Sequence, residues 1–305
     1  MKATLAENAY GKQAIRLVTV RRYPDRHELK DVTVAIRFEG DFLAAYTDGD
    51  NQGVLPTDTM KNTVYALAAE HPFDDIEDFG LALSNHFLSR NPRVTRVGIE
   101  LIEHLWEPIP VGGAAHPHAF RQAGSERRTA EVTRDRQGVE IQSGIEDLVV
   151  MKTAKSAFEG FPRDPYTTLK ETSGRILATA VRATWSYSRP KVDFGPLWHD
   201  VRRVLLETFA GHDSRSVQHT LYAMGEAVVK SLDIEEIHLV MPNRHHLPID
   251  LTPFRLENRN EIFVAPTEPY GLIEGTVRRQ SEELRDFQRG LDDVEAGRVV
   301  THEEA

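Results

Sequence analysis

The order of structural signals constrains this chain more than any single residue does: two alternating stretches, two helical stretches and two further alternating stretches, and then the same order again. Polar and apolar residues alternate from Lys12 to Val20 and again from Val32, with "RRYPDRHE" between them, the pattern of a hairpin. "TDTMKNTVYALAAEH" follows, with Thr57 or Asp58 placed to cap a helix carrying Val64, Leu67 and Ala68 on one face. "DDIEDFGLALSNHFLSR" offers Ile76, Phe79, Leu83 and Phe87 at the same kind of spacing. Alternation returns in "RVTRVGIELIEHLWEPI" and from "HAFRQ" through "RRTAEVTR", ending near a turn at Arg136 to Gly138.

The second half repeats the order. Strands are expected around "GIEDLVVMKTA" and "RILATAVRATWSYS", helices in "FGPLWHDVRRVLLETFAG" and "SVQHTLYAMGEAVVKSL", and strands in "IEEIHLVMPN", "LPIDLTPF" and "YGLIEGTVRR". Residue identity between the halves is too low for a sequence repeat, so the duplication rests on element order. Antiparallel strands with inserted helix pairs give an α+β architecture, a sheet covered on one face by helices. The expected units are residues 1–138 and 139–280, followed by a charged tail over 281–305. Each unit leaves open sheet edges, and closure into a barrel through homo-oligomerisation is the expected remedy.

Composition removes several functions. A formal net charge of -10 over 305 residues opposes nucleic-acid binding, which needs a concentrated basic surface. The chain has no cysteine, so thiolate nucleophiles, disulfides and thiolate-ligated metals are excluded. "MKATLAENAYGKQAIRLVTV" holds no apolar run of signal-peptide or membrane-span length, and a cytoplasmic location without a membrane partner is the expectation.

Common motifs are also missing. "GGAAHPHAF" has adjacent glycines but no Lys-Ser/Thr pair and reads as a loop. His116 and His118 would point to one strand face, as would suit a zinc ligand pair, yet the spacing identifies no third ligand. No G-x-S-x-G elbow occurs. What remains is a polar segment, "FEGFPRDPYTTLKETSGRILAT" from Phe158 to Thr179, with an aromatic, two arginines and many hydroxyls. Its front half lacks both the strand and the helix period, which marks a site rather than core.

Eight pieces carry a family resemblance: "YGK" at Tyr10, "TDTMKNTVYA" at Thr57, "HPHAF", "FEGFPRDPYTTLKET", "RILAT", "SVQHTLY", "MPNRHH" and "PYGLIE". In this order and at these separations the chain resembles the urate oxidase (uricase) family, built of tandem T-fold (tunnelling-fold) units. The resemblance implies oxidation of urate by dioxygen and water, with no metal or flavin cofactor, in a homotetramer whose sites are shared between chains. It implies that Phe158 stacks on the purine and that Arg175 and Gln218 clamp its edges, with backbone contacts from Val217 and from Asp58 of a neighbouring chain. It further implies that Lys12, Thr57 and His245 relay protons, and that Asn243 with Thr57 holds dioxygen or water. Side-chain chemistry agrees, since a planar anionic heterocycle suits an aromatic face, an arginine fork and an amide edge.

For each residue the sequence also allows a plain structural role: Phe158 in a core, Arg175 paired with Glu171, Gln218 on a solvated helix face, and Arg163 with Asp164 in an ion pair or turn. Two departures from the family pattern stand out, Arg244 where a lysine is common and Ser173-Gly174 ahead of Arg175, where Gly174 would loosen the turn. Two other functions stay open on the sequence, a zinc-dependent pterin or GTP enzyme of the same fold and a non-catalytic purine-binding homologue.

Overall fold

The computed structural model, which describes residues 3–189 and 191–280, joins eight strands into one antiparallel sheet. β1 (Tyr10–Arg22) and β2 (His27–Gly40) form the expected hairpin. Val32, Val34, Ile36 and Phe38 of β2 are all fully buried, because alternate side chains share a face and helices cover that face. A short helix, α1 (Leu43–Thr47), precedes α2 (Thr57–Glu70) and α3 (Ile76–Arg90). Met60, Val64 and Leu67 of α2 join Ile76, Phe79, Leu83 and Phe87 of α3 in the core over this half of the sheet.

The α2 cap differs from the expectation. Pro56 occupies the N-cap position, Thr57 is already helical, and no side chain caps the end. The proline φ of -56° suits a helix entry, so the helix starts without the hydroxyl.

β3 (Val94–Val111) and β4 (Ala114–Asp135) run as a long hairpin. The loop expected over "GGAAHPHAF" shrinks to Gly112 and Gly113, with φ of 61° and 85°. Both central residues of such a two-residue turn need positive φ, which glycine adopts without strain, and pairing resumes at Ala114.

β5 (Val139–Lys152), β6 (Leu177–Tyr187), α4 (Phe194–Gly211), α5 (Val217–Ser231) and β7 (Ile234–Asn243) follow. "LPIDLTPF" is not the expected strand. Only β8 (Leu247–Pro248) pairs, with β9 (Phe263–Val264), and Thr252–Phe254 is a 3-10 turn. Pro248 and Pro253 lack the donors a ladder needs. β10 (Gly271–Arg278) then closes the order β1-β2-β3-β4-β5-β6-β7-β10. A second core gathers Trp198, Val201, Leu205 and Phe209 of α4 with Val217, Met224 and Val228 of α5 against β5, β6 and β7.

Among the described residues β1 and β10 are the sheet's two edges, each paired on one side only. The sheet face away from the first core is polar, with Arg37, Glu39, Arg96, Glu100 and Glu131 around one groove. No helix among the described residues is long and apolar enough to cross a membrane. The expected tail over 281–305 lies outside the described residues.

A buried ionic cluster ties the two cores together. Arg128 of β4, 4% exposed, donates to Asp75 ahead of α3 at 3.0 Å and to the fully buried Glu77. Glu77 accepts from Ser143 of β5, which accepts from Tyr187 of β6. Asp75 also accepts from the backbone N–H of Gly195 in α4 at 3.1 Å. Removing Arg128, the one cation among the described residues that pairs with Asp75 and Glu77, strands two acids out of water. Arg128→Met is therefore expected to lower unfolding free energy by about 3–5 kcal/mol, measured by urea denaturation; a loss under 1 kcal/mol, on the order of a surface pair, would contradict this assignment.

Candidate functional site

Residues 155–158 form the brace on which one group of candidate residues hangs. Ser156, fully buried, bridges Ser214 just ahead of α5. Ala157 donates to the Ser214 carbonyl at 2.8 Å, and Ser214 donates back to the Lys155 carbonyl at 3.0 Å. Phe158 exchanges two backbone hydrogen bonds with Thr172, at 2.8 and 3.2 Å, and the Arg175 N–H donates to the Ser156 carbonyl at 2.9 Å. One short segment thus fixes Phe158, the start of α5 and Arg175 relative to each other. β7 delivers the remaining pair: Asn243 ends it beside Thr179 of β6, and the following Arg244 N–H donates to the Ala178 carbonyl at 2.8 Å.

The result is a cavity of about 470 Å³, and Phe158, Arg175, Val217, Gln218, Asn243 and His245 all line it. Arg175 is half-buried, and its Nε is buried without a hydrogen-bond partner among the described residues. Its guanidinium lies 5.1 Å from the Phe158 ring centroid. Burial pushes its pKa below the ordinary arginine value, the mark of a cation removed from water with no acid beside it. Glu171 is not its partner, since that carboxylate faces Arg163 at 3.6 Å.

Val217 and Gln218 open α5, where Ser216 caps the His219 N–H at 3.0 Å. The first N–H groups of a helix have no acceptor in a preceding turn and carry partial positive charge. An anion with flat faces and polar edges suits the chemistry of this helix end, the guanidinium and the aromatic ring.

Lys12, Thr57 and Asp58 do not line this cavity. Lys12 sits at a bulge in β1, where pairing with β2 skips from Lys12 to Ile15 and Ala14 takes a φ of 57°. Thr57 and Asp58 begin α2. The Asp58 carboxyl is held below the usual range by a hydrogen bond from Lys61, with the charge of Lys12 adding to the effect.

Sheet register places the two groups at opposite corners of the chain. β1 and β7 are six strand spacings apart, roughly 29 Å along the sheet. Following partners from Lys12 leads through Ile36, Ile99 and Val132 to Ile141 of β5. Following them from Asn243 leads through Thr179 to Val150, nine residues further along β5, another roughly 30 Å.

Several lining residues went unread in the sequence. Leu169, Ile176, Phe263 and Ile273 supply apolar wall, and Lys170 and Asn260 supply polar wall. Phe263 arrives on the β8–β9 ladder, which no periodicity signals. Asp164 forms a turn, accepting from the Tyr166 N–H and the Thr167 hydroxyl, while Arg163 turns to Glu171. Gly174 has open space where a Cβ would stand, and the backbone bond to Ser156 aims Arg175.

The family model described as "Uricase" matches residues 8–133 and 141–274. The uricase of Arthrobacter globiformis is 45% identical over 92% of this chain and 91% of its own length. That of Dictyostelium discoideum is 38% identical over 92% of this chain and its full length. The crystal structure of the Arthrobacter globiformis uricase superposes with a TM-score of 0.88 over 92% of this chain and 97% of that one, at 44% identity.

If Arg175 is the anion clamp, Arg175→Ala should weaken urate binding at least about tenfold, and Arg175→Lys should recover little because a point charge does not replace a two-pronged fork. Equilibrium binding under anaerobic conditions measures both. Near-normal affinity in the lysine variant would contradict the clamp.

Proposed function

The chain belongs to the uricase family, and we infer that the cavity at Phe158 and Arg175 is where it oxidises urate. Urate, dioxygen and water give 5-hydroxyisourate and hydrogen peroxide, a balanced two-electron oxidation. The observation that best supports this placement is the half-buried Arg175 guanidinium, unpaired by any acid among the described residues and set 5.1 Å from an aromatic ring.

In this reading urate lies flat on Phe158, and Arg175 and Gln218 hold its opposite polar edges. The backbone N–H of Val217 adds a donor at the helix end, where partial positive charge suits an anionic purine. Dioxygen is a triplet and reacts poorly with closed-shell molecules, but a doubly deprotonated urate is reducing enough to pass it one electron directly. The protein's work is then to remove protons, hold the reactants face to face and protonate the peroxide. Lys12, Thr57 and His245 relay the protons, and Asn243 with Thr57 holds dioxygen or water over the purine.

Diagonal placement of the two residue groups supports a site shared between chains. Lys12, Thr57 and the Asp58 backbone come from one chain, and Phe158, Arg175, Gln218, Asn243 and His245 from its neighbour. The two unpaired edges at β1 and β10 supply the means, since pairing edge to edge closes the sheets into a barrel and leaves no open ladder. A homotetramer of two tandem units per chain, divided at 138/139, and a cytoplasmic location complete the reading.

A mixing experiment tests it. Thr57→Ala and Arg175→Ala chains are each expected to be inactive, with activity followed as loss of urate absorbance without added metal. In mixed pairs one site carries both lesions and the other carries neither. Random pairing makes half the pairs mixed and half their sites whole, so about a quarter of wild-type activity returns on co-expression. Mixed oligomers, confirmed by two affinity tags, that stay as inactive as the parents would place both residues in one chain's pocket.

A further inference from the structure

The ring that faces the cavity has a second ring behind it. Phe161 stacks on Phe158 with centroids 5.0 Å apart and planes within 15° of parallel. Phe158 lines the cavity and Phe161 does not, so the face of Phe158 that Phe161 covers is closed to the cavity. Gly160 makes this return possible. Its φ of 72° lies in the left-handed region, which a side chain would strain, and it folds the chain back within three residues.

The backing ring is itself held. The Arg163 guanidinium lies 5.5 Å from the Phe161 centroid and pairs with Glu171 at 3.6 Å, and the Gly160 N–H donates to Glu171 at 3.4 Å. Glu171 adjoins Thr172, whose backbone pairs with Phe158. Carboxylate, guanidinium, rear ring and front ring thus form a closed loop of contacts, all local to residues 158–172.

We propose that Phe161 is a positioning residue for urate oxidation: it fixes the plane of the Phe158 ring and thereby the plane in which the purine is held. This rests on the reading of Phe158 as the stacking ring. A front ring with no backing has a freely swinging second torsion, and a flat ligand would then have to order it on binding. Backing by a near-parallel ring removes that cost before the ligand arrives, so the contribution of Phe161 appears only through Phe158.

Anaerobic urate binding and aerobic turnover, measured on the full chain, test this by a double-mutant cycle. Phe161→Ala is expected to weaken urate affinity about three- to tenfold while kcat at saturating urate stays within about twofold. Phe161→Tyr should restore affinity because it keeps the flat face. Phe161→Leu, which keeps bulk and guards against a loosened loop in the alanine variant, should not restore it. In a Phe158→Ala background, Phe161→Ala should add nothing further. Full additivity of the two lesions, or wild-type affinity in Phe161→Leu, would overturn the proposal. Unchanged affinity in Phe158→Ala alone would show that Phe158 is not the stacking ring, and the proposal would fall with that reading.

Discussion

Everything in the functional account depends on one geometric constraint, the width and register of a single continuous sheet. Six spacings separate β1 from β7, and nine residues of register separate the level of Lys12 from that of Asn243. No side chain reaches across such a distance, so either the two groups serve different purposes or a second chain unites them. The open ladders at β1 and β10 favour union, because unpaired backbone donors and acceptors at a sheet edge are satisfied most fully by another strand.

Within the second half, precision comes from backbone rather than side chains. Lys155, Ser156, Ala157 and Phe158 spend their main-chain groups on two segments distant in sequence, one at Ser214 and one from Thr172 to Arg175. Main-chain bonds fix direction more tightly than flexible side chains do, which lets a loop region hold a guanidinium, an aromatic ring and a helix end in one cavity. The ionic cluster at Arg128 serves the larger scale. Its links to Asp75, Glu77 and, through Glu77, Ser143 join α3 and β4 to β5, while Gly195 adds α4.

Much of the fold was legible in the sequence because its strands are half-buried and alternate. Val32, Val34, Ile36 and Phe38 announced both the strand and its covered face, and Ile76, Phe79, Leu83 and Phe87 did the same for α3. Legibility failed where no period exists. α1 spans five residues, too few for one, and β8 and β9 spans two residues each. Thr57 or Asp58 looked like a cap because both residue types favour that position, but Pro56 set the helix entry instead. The family motifs pointed to the residues gathered at the cavity, yet nothing local to "YGK" or "TDT" could reveal that those pieces lie at the opposite corner. Arg175's lack of an acid partner was equally hidden, because it follows from Glu171 facing Arg163, a matter of loop geometry.

A crystal structure of the full protein with urate, grown and frozen without dioxygen, tests the central claim most directly. The account predicts the purine flat against Phe158, its edges on Arg175 and Gln218, and the Thr57 hydroxyl of a second chain within hydrogen-bonding distance of the ligand or of a water above it. Urate bound elsewhere, or a pocket completed by residues of one chain alone, would contradict it.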